Sequence, residues 1–160
     1  MDPTILGTQA VVEALPEEPA VKALSGIASD AKYDRNELTV TVPRESLISA
    51  SKAIRNAGYN YLEDVTAVDW YPSEPRFQVV YHFLSFSLKR RLRIVVRLAG
   101  DDASLDSITP NWPAANFYER EVFDLFGIHF GGHPYLRRLM MPEDWQGHPL
   151  RKDYPVEGYR

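Results

Sequence analysis

The densest group of reactive side chains is Glu119-Arg120-Glu121 with Asp124, three carboxylates and one guanidinium within six residues of an otherwise apolar stretch. On a helix consecutive residues stand about 100° apart, so Glu119, Arg120 and Glu121 cannot share a face. At least one of them must turn toward the apolar side. Asp124 falls in the last turn, where the helix dipole disfavours a negative charge. Basic groups should compensate it, and Arg137, Arg138, Arg151 and Lys152 are the nearest that follow in sequence. Two chemistries fit this pattern: general acid/base work by paired carboxylates, or an ion-pair network that staples a following segment to the helix. The second is favoured, because no nucleophile, metal-ligand set or phosphate cradle stands nearby.

The other candidates are weaker. His129 and His133 are four residues apart, with His148 further on, but Gly131, Gly132 and Pro134 forbid the helix that would align them on a metal. Histidines bonded to backbone carbonyls in turns are expected instead. Lys89-Arg90-Arg91 with Arg93 and Arg97 make a cationic strip that could track phosphates on a strand. The same strip reads as the solvated face of a sheet or a docking face for an acidic partner. A net charge of −4, from 18 Lys+Arg against 22 Asp+Glu, counts against nucleic acid. The absence of cysteine removes disulfides, thiol nucleophiles and cysteine-ligated clusters together. Neither glycine-rich phosphate loop occurs, and Gly127-Ile-His-Phe-Gly131-Gly132 follows a helix rather than a strand and has no lysine. No catalytic residue, cofactor-binding residue or metal ligand is therefore expected.

The elements that must position these groups read as follows. Thr4–Leu15 and Ala20–Ile27 have helical spacing, and Leu38–Val42 alternates as a half-buried strand. Pro43 opens a helix whose stripe is Leu47, Ile48 and Ile54, and Gly58 closes it. Three strands follow, at 61–70, 76–85 and 88–98, with the 72–75 segment as a turn. Joined by short connections they predict an antiparallel meander, hence an α+β fold with helices packed on an antiparallel sheet. Residues 114–126 read as a broad apolar helix ended by Gly127, with Ile128 packing on Phe123 in a Schellman motif. Beyond it, four prolines and four glycines in residues 128–160 forbid long regular structure, yet the segment is rich in aromatics and arginine. The domain division is 1–127 for the α+β domain and 128–160 for an extended C-terminal arm, one that lies on a surface. No apolar run approaches the ~20 residues of a membrane span. The Met1-Asp-Pro-Thr start lacks the basic region of a signal peptide. A cytoplasmic chain is expected.

Three segments carry a specific likeness: Tyr118-Glu-Arg-Glu-Val-Phe-Asp-Leu-Phe-Gly-Ile128, Gly132-His-Pro-Tyr-Leu-Arg-Arg138, and Pro142-Glu-Asp-Trp-Gln-Gly-His-Pro-Leu-Arg-Lys-Asp-Tyr-Pro155. Together they resemble the signature of the 30-kDa subunit family of respiratory complex I, which in bacteria is the C subunit of NADH-quinone oxidoreductase. Phe117 stands where a tryptophan is common in that family, and Gly132 and Tyr135 where acidic or polar residues are common.

The resemblance implies a peripheral-arm subunit without cofactor, in a complex that carries electrons from NADH to quinone and pumps protons. FMN, iron–sulfur clusters and quinone would sit on other subunits. The chain would pack beside the 49-kDa-type subunit and the subunit holding the terminal iron–sulfur cluster. It would lie on the cytoplasmic side of the bacterial inner membrane and meet that membrane only through the complex. The signature residues expected at partner interfaces are Glu119, Arg120, Glu121, Asp124, His133, Arg137, Arg138, Trp145, Arg151, Lys152, Asp153 and Tyr154. In fused relatives the chain continues past the arm, so an end at Arg160 is expected to mark a separate polypeptide. Two alternatives stay open: the equivalent subunit of a membrane-bound hydrogenase or ferredoxin-dependent oxidoreductase, and a nucleic-acid-binding module built on the arginine strand.

Overall fold

A computed structural model describes residues 4–159. These form eight strands and four α-helices: β1 (Ile5–Leu6), α1 (Thr8–Ala14), α2 (Pro19–Ala23), β2 (Asp30–Asp34), β3 (Glu37–Thr41), α3 (Leu47–Asn56), β4 (Tyr61–Asp69), β5 (Phe77–Ser85), β6 (Arg90–Leu98), β7 (Ser104–Asp106), α4 (Ala115–Phe126) and β8 (His129–Gly131). The large sheet has the order β1-β2-β3-β6-β5-β4, and β7 and β8 form a second, two-stranded sheet.

The α+β class and the β4-β5-β6 meander agree with the sequence. The large sheet departs from the expected pattern in one place, because β3 and β6 are parallel. The cause is α3, which carries the chain back after β3 so that β4 starts again in the direction of β3. Two antiparallel steps later, β6 runs the same way and closes beside β3.

Three local departures have local causes. Residues 4–15 do not form one helix, because Gly7 at φ 94° breaks the run and Ile5–Leu6 pairs with Tyr33 and Lys32. β2, whose alternation offers the core only Ala31 and Tyr33, is held by a tight hairpin in which Arg35 and Asn36 both take positive φ (52° and 63°). Lys89 at φ 51° keeps β6 from starting before Arg90.

Alternation divides the sheet's two faces. Phe77, Val79, Tyr81 and Phe83 on β5, with Leu92, Ile94, Val96 and Leu98 on β6, are buried in one core with Leu47, Ala50 and Ile54 of α3. Val122 and Phe126 of α4 join it. The core continues past Gly127, since Ile128 and Phe130 are buried and β8 pairs with β7. On the other face, the cationic strip is opposed by carboxylates. There Arg91 pairs with Glu63 and Arg93 with Glu37, each at 3.3 Å, while Arg90, in the core-facing phase at the strand's start, reaches the buried Glu18 at 3.1 Å. This pairing breaks up the row of free cations that a phosphate backbone would need.

Candidate functional site

The site is where the C-terminal arm meets α4 and the end of β4. Every helix leaves its last four carbonyls without intrahelical donors. Gly127, at φ 72°, donates its N–H to Phe123 O (2.9 Å), which is an αL ending rather than the expected Schellman motif. The remaining three carbonyls accept from the arm. His148 Nδ1 and Arg138 Nη1 lie 2.8 and 3.2 Å from Asp124 O, Leu150 N donates to Leu125 O (3.0 Å), and Arg151 Nε to Phe126 O (2.6 Å). Only glycine fits at 127, because a Cβ there would meet His148 at 2.5 Å and Arg151 at 3.0 Å.

Asp124, wholly buried, is the first anchor. Its Oδ1 accepts from Arg138 Nη1 (2.7 Å), and its Oδ2 from the consecutive amides of Leu139 (2.9 Å), Met140 (2.6 Å) and Met141 (2.9 Å). Three successive N–H groups aimed at one oxygen form an anion nest. Burial alone would raise the Asp124 carboxyl, but these amides and the Arg138 guanidinium hold it below the usual carboxylate range. The unfavourable position on the helix dipole is thus offset by four donors from the arm. Arg138 also donates to Trp145 O (2.9 Å) and Gly147 O (3.0 Å), so one guanidinium organises residues 138–147.

A second anchor holds the arm's far end. Asp69, buried at the end of β4, takes two bonds from Arg76, Nε at 2.9 Å and Nη2 at 2.8 Å. It also accepts from the amides of Lys152 and Tyr71, both at 2.9 Å. The other side of the same guanidinium meets Asp153 at 3.0 and 2.7 Å. Burial pushes the Asp69 carboxyl up, but Arg76 and the two amides bring it down to about 2. Arg76 lies over the rings of Tyr71 (4.8 Å) and Phe77 (4.9 Å), and Arg151 over Phe77 (5.2 Å).

Glu119, on the buried side of α4, does not touch the arm's cations. It accepts from Ser107 Oγ (2.5 Å) and Ile108 N (2.8 Å), and burial pushes its carboxyl up to about 7. His133 shares a hydrogen bond with Asn116 O (3.1 Å), as expected of histidines in turns.

The other signature residues are spread over the surface of this assembly. Arg120 donates to the carbonyls of Arg137 and Arg138 (3.1 and 3.2 Å) and lies over Phe117 and Tyr135. Arg137 turns outward to Glu143 (3.0 Å), so of the four cations that follow Asp124 most nearly in sequence only Arg138 neutralises it. Glu121 is half-buried on α4, and Lys152 is exposed. Trp145 donates its indole N–H to Tyr154 Oη (3.1 Å), and Tyr154 packs edge-on against Tyr159. Among the described residues no group of three or more His, Cys, Asp or Glu side chains could hold a metal ion, and no helix is long and apolar enough to cross a membrane.

Sequence reasoning missed Asp69, Arg76 and Ser107. A signal existed for Asp69, which continues the inward phase of Val65 and Ala67 on β4. A carboxylate in that phase requires a buried cation. Ser107 and Arg76 lie in connections where no periodicity operates.

A family profile described as the respiratory-chain NADH dehydrogenase, 30 Kd subunit, matches residues 40–160. The chain belongs to this family. It is 50% identical over 130 residues to the C subunit of NADH-quinone oxidoreductase from Citrifermentans bemidjiense, covering 81% of each chain. It is 48% identical over 137 residues to the C subunit from Rhodobacter capsulatus, covering 84% of this chain and 68% of that one. Among solved structures, this 30-kDa-family chain resembles a trypsin-resistant fragment (1–134) of Nqo5 at 33% identity and TM-score 0.65, over 78% of this chain and 98% of that one. It also resembles a chain of the membrane-bound sulfane sulfur reductase, an archaeal respiratory membrane complex, at 27% identity and TM-score 0.76, over 88% and 86%.

Proposed function

We propose that this 30-kDa-family chain is the cofactor-free scaffold subunit of a proton-pumping NADH-quinone oxidoreductase. It packs beside the 49-kDa-type subunit and the terminal iron–sulfur subunit, at the quinone-reducing module. FMN, the clusters and quinone are held by those and other subunits, on the cytoplasmic side of the bacterial inner membrane. Family membership supports the complex, and one structural observation supports the scaffold role. The arm's inward polar groups are committed to Asp124, Asp69 and the carbonyls of α4, while many of its apolar side chains beyond Phe130 face outward. Tyr135, Leu139, Met140, Trp145, Leu150 and Tyr159 are exposed, as is Phe117 of α4. Aromatic and methionine side chains with interspersed arginine are the composition of an interface core, and large exposed apolar surface on a folded chain marks a partner site.

The likeness to the sulfane sulfur reductase chain keeps a related machine with another donor as the second reading. Identities of 46–50% to NADH-quinone oxidoreductase subunits, against 27% to that chain, favour the first. Affinity purification of the tagged chain from solubilised membranes, followed by mass spectrometry, tests the proposal. Recovery of the NADH-quinone oxidoreductase subunits is expected. Recovery of a hydrogenase or ferredoxin-dependent assembly would change the donor and retain the scaffold, and a chain recovered alone or with nucleic acid would overturn both readings.

A further inference from the structure

We propose that Glu119 is a reversible proton-binding site, switched through a hydroxyl chain that runs from its carboxyl to Ser107 and on to Thr109. This site stands independently of the proposed function. A serine hydroxyl has one proton and two lone pairs. Ser107 Oγ lies 2.5 Å from Glu119 Oε2 and 2.7 Å from Thr109 Oγ1, and it accepts from Thr109 N at 3.1 Å. When Glu119 is ionised, Ser107 donates to it and accepts from both the amide and the hydroxyl of Thr109. When Glu119 is protonated, the acid O–H donates to Ser107 Oγ, and the serine proton turns to Thr109 Oγ1. Ser107 is fully satisfied in both states, and Ile108 N continues to donate to Glu119 Oε1. Thr109 keeps 9% of its surface exposed, so the chain connects a wholly buried carboxyl to the edge of the protein.

The groups facing this carboxyl do not fix its charge. From β5, Tyr81 brings a buried hydroxyl with no hydrogen-bond partner among the described residues, its phenol pushed well up by burial and by the charge of Glu119. From the arm, His133 Nε2 lies 3.9 Å from Glu119 Oε2. Its Nδ1 accepts from Tyr135 N (3.0 Å), so the ring proton is on Nε2 and goes to Asn116 O. Burial lowers this imidazole, and the Arg120 charge lowers it further against the hydrogen bond to Asn116. Glu119 therefore has two good donors when ionised and no cation among the described residues, which is why burial carries it to about 7.

The test is carboxyl-carbon NMR on the full chain labelled at glutamate, with Glu119→Gln to assign the signal. A midpoint near 7 is expected, against 4.5 for an ordinary glutamate. Ser107→Ala removes a charge-assisted bond from the ionised state and only a weaker neutral one from the protonated state, so it should raise the midpoint by on the order of one pH unit. Thr109→Val leaves the serine proton without an acceptor in the neutral state and should lower it. Relative to Glu119→Gln, the wild-type chain should lose thermal stability as pH rises from 4.5 through about 7, because the native state holds a proton that the unfolded state has released. The depressed histidines act in the opposite sense but are common to both chains. A wild-type midpoint in the ordinary carboxylate range, or shifts of the same sign in both hydroxyl variants, would overturn the proposal.

Discussion

Asp124→Ala should release the arm from α4 while leaving the sheet folded. The substitution removes the acceptor of four hydrogen bonds and leaves the Arg138 guanidinium, only 13% exposed, without its counter-ion. Removing one partner of a buried ion pair typically costs about 3–5 kcal/mol, and three amides lose their acceptor at the same time. The loss falls on the arm, because the core around β5 and β6 does not use Asp124. Limited trypsin digestion followed by mass spectrometry reads this directly. Cleavage after Arg137 and Arg138 should become rapid while the preceding domain persists as a stable product. Asp124→Asn, which keeps one carbonyl oxygen for the nest but turns an NH2 toward a donor, should fall between. Unchanged cleavage in the alanine variant would mean that the arm is held by other contacts.

Arg76→Ala should produce the largest loss of global stability. Among the described residues its guanidinium is the only side-chain cation bonded to Asp69, whose carboxylate is 1% exposed, and it is also the link to Asp153 in the arm. A stranded buried carboxylate again costs about 3–5 kcal/mol, which for a chain of this length corresponds to a fall in Tm on the order of 10 °C. Arg76→Lys should rescue little, since one ammonium cannot give paired bonds to two carboxylates. The acid side carries a second signature. Asp69 is depressed from 3.8 to about 2, so its contribution is complete above pH 3.8 and is lost as pH falls toward 2. The variant lacks that contribution at every pH, so the gap in Tm between wild type and variant should be full at pH 7 and should narrow as pH falls from 3.8 toward 2. Thermal melts at pH 7 and at pH values below 3.8 check both statements, and equal Tm for wild type and variant at pH 7 would contradict them.

The sequence was most legible where periodicity is strong. The meander, α3, α4 and the irregular arm could all be read from apolar spacing and from proline and glycine positions. The α4 charges were legible as a conflict: three residues that cannot share a face, and an aspartate on the wrong end of a dipole. What resolved the conflict was hidden in part. Asp124 did find a cation from the arm, but most of its donors are main-chain amides of residues 139–141, and main-chain geometry carries no residue-type signal. Glu119 found one hydroxyl and one main-chain amide instead of cations, from a connection that no spacing rule covers. The parallel β3–β6 pair and the Arg35-Asn36 hairpin were illegible for a related reason. Both depend on how strands return to the sheet, which no single strand's pattern encodes.

The central claim is that a chain-anchored arm presents its outer face to partner subunits. Lys152 reports on this face, because its amide is fixed by Asp69 while its side chain is exposed, and it is the one lysine after Lys89. Amine-reactive cross-linking in native membranes, read by mass spectrometry, should join Lys152 to other NADH-quinone oxidoreductase subunits. If Lys152 is modified but linked only within its own chain, in membranes where the complex is present, the arm's outer face is not the interface and the account fails.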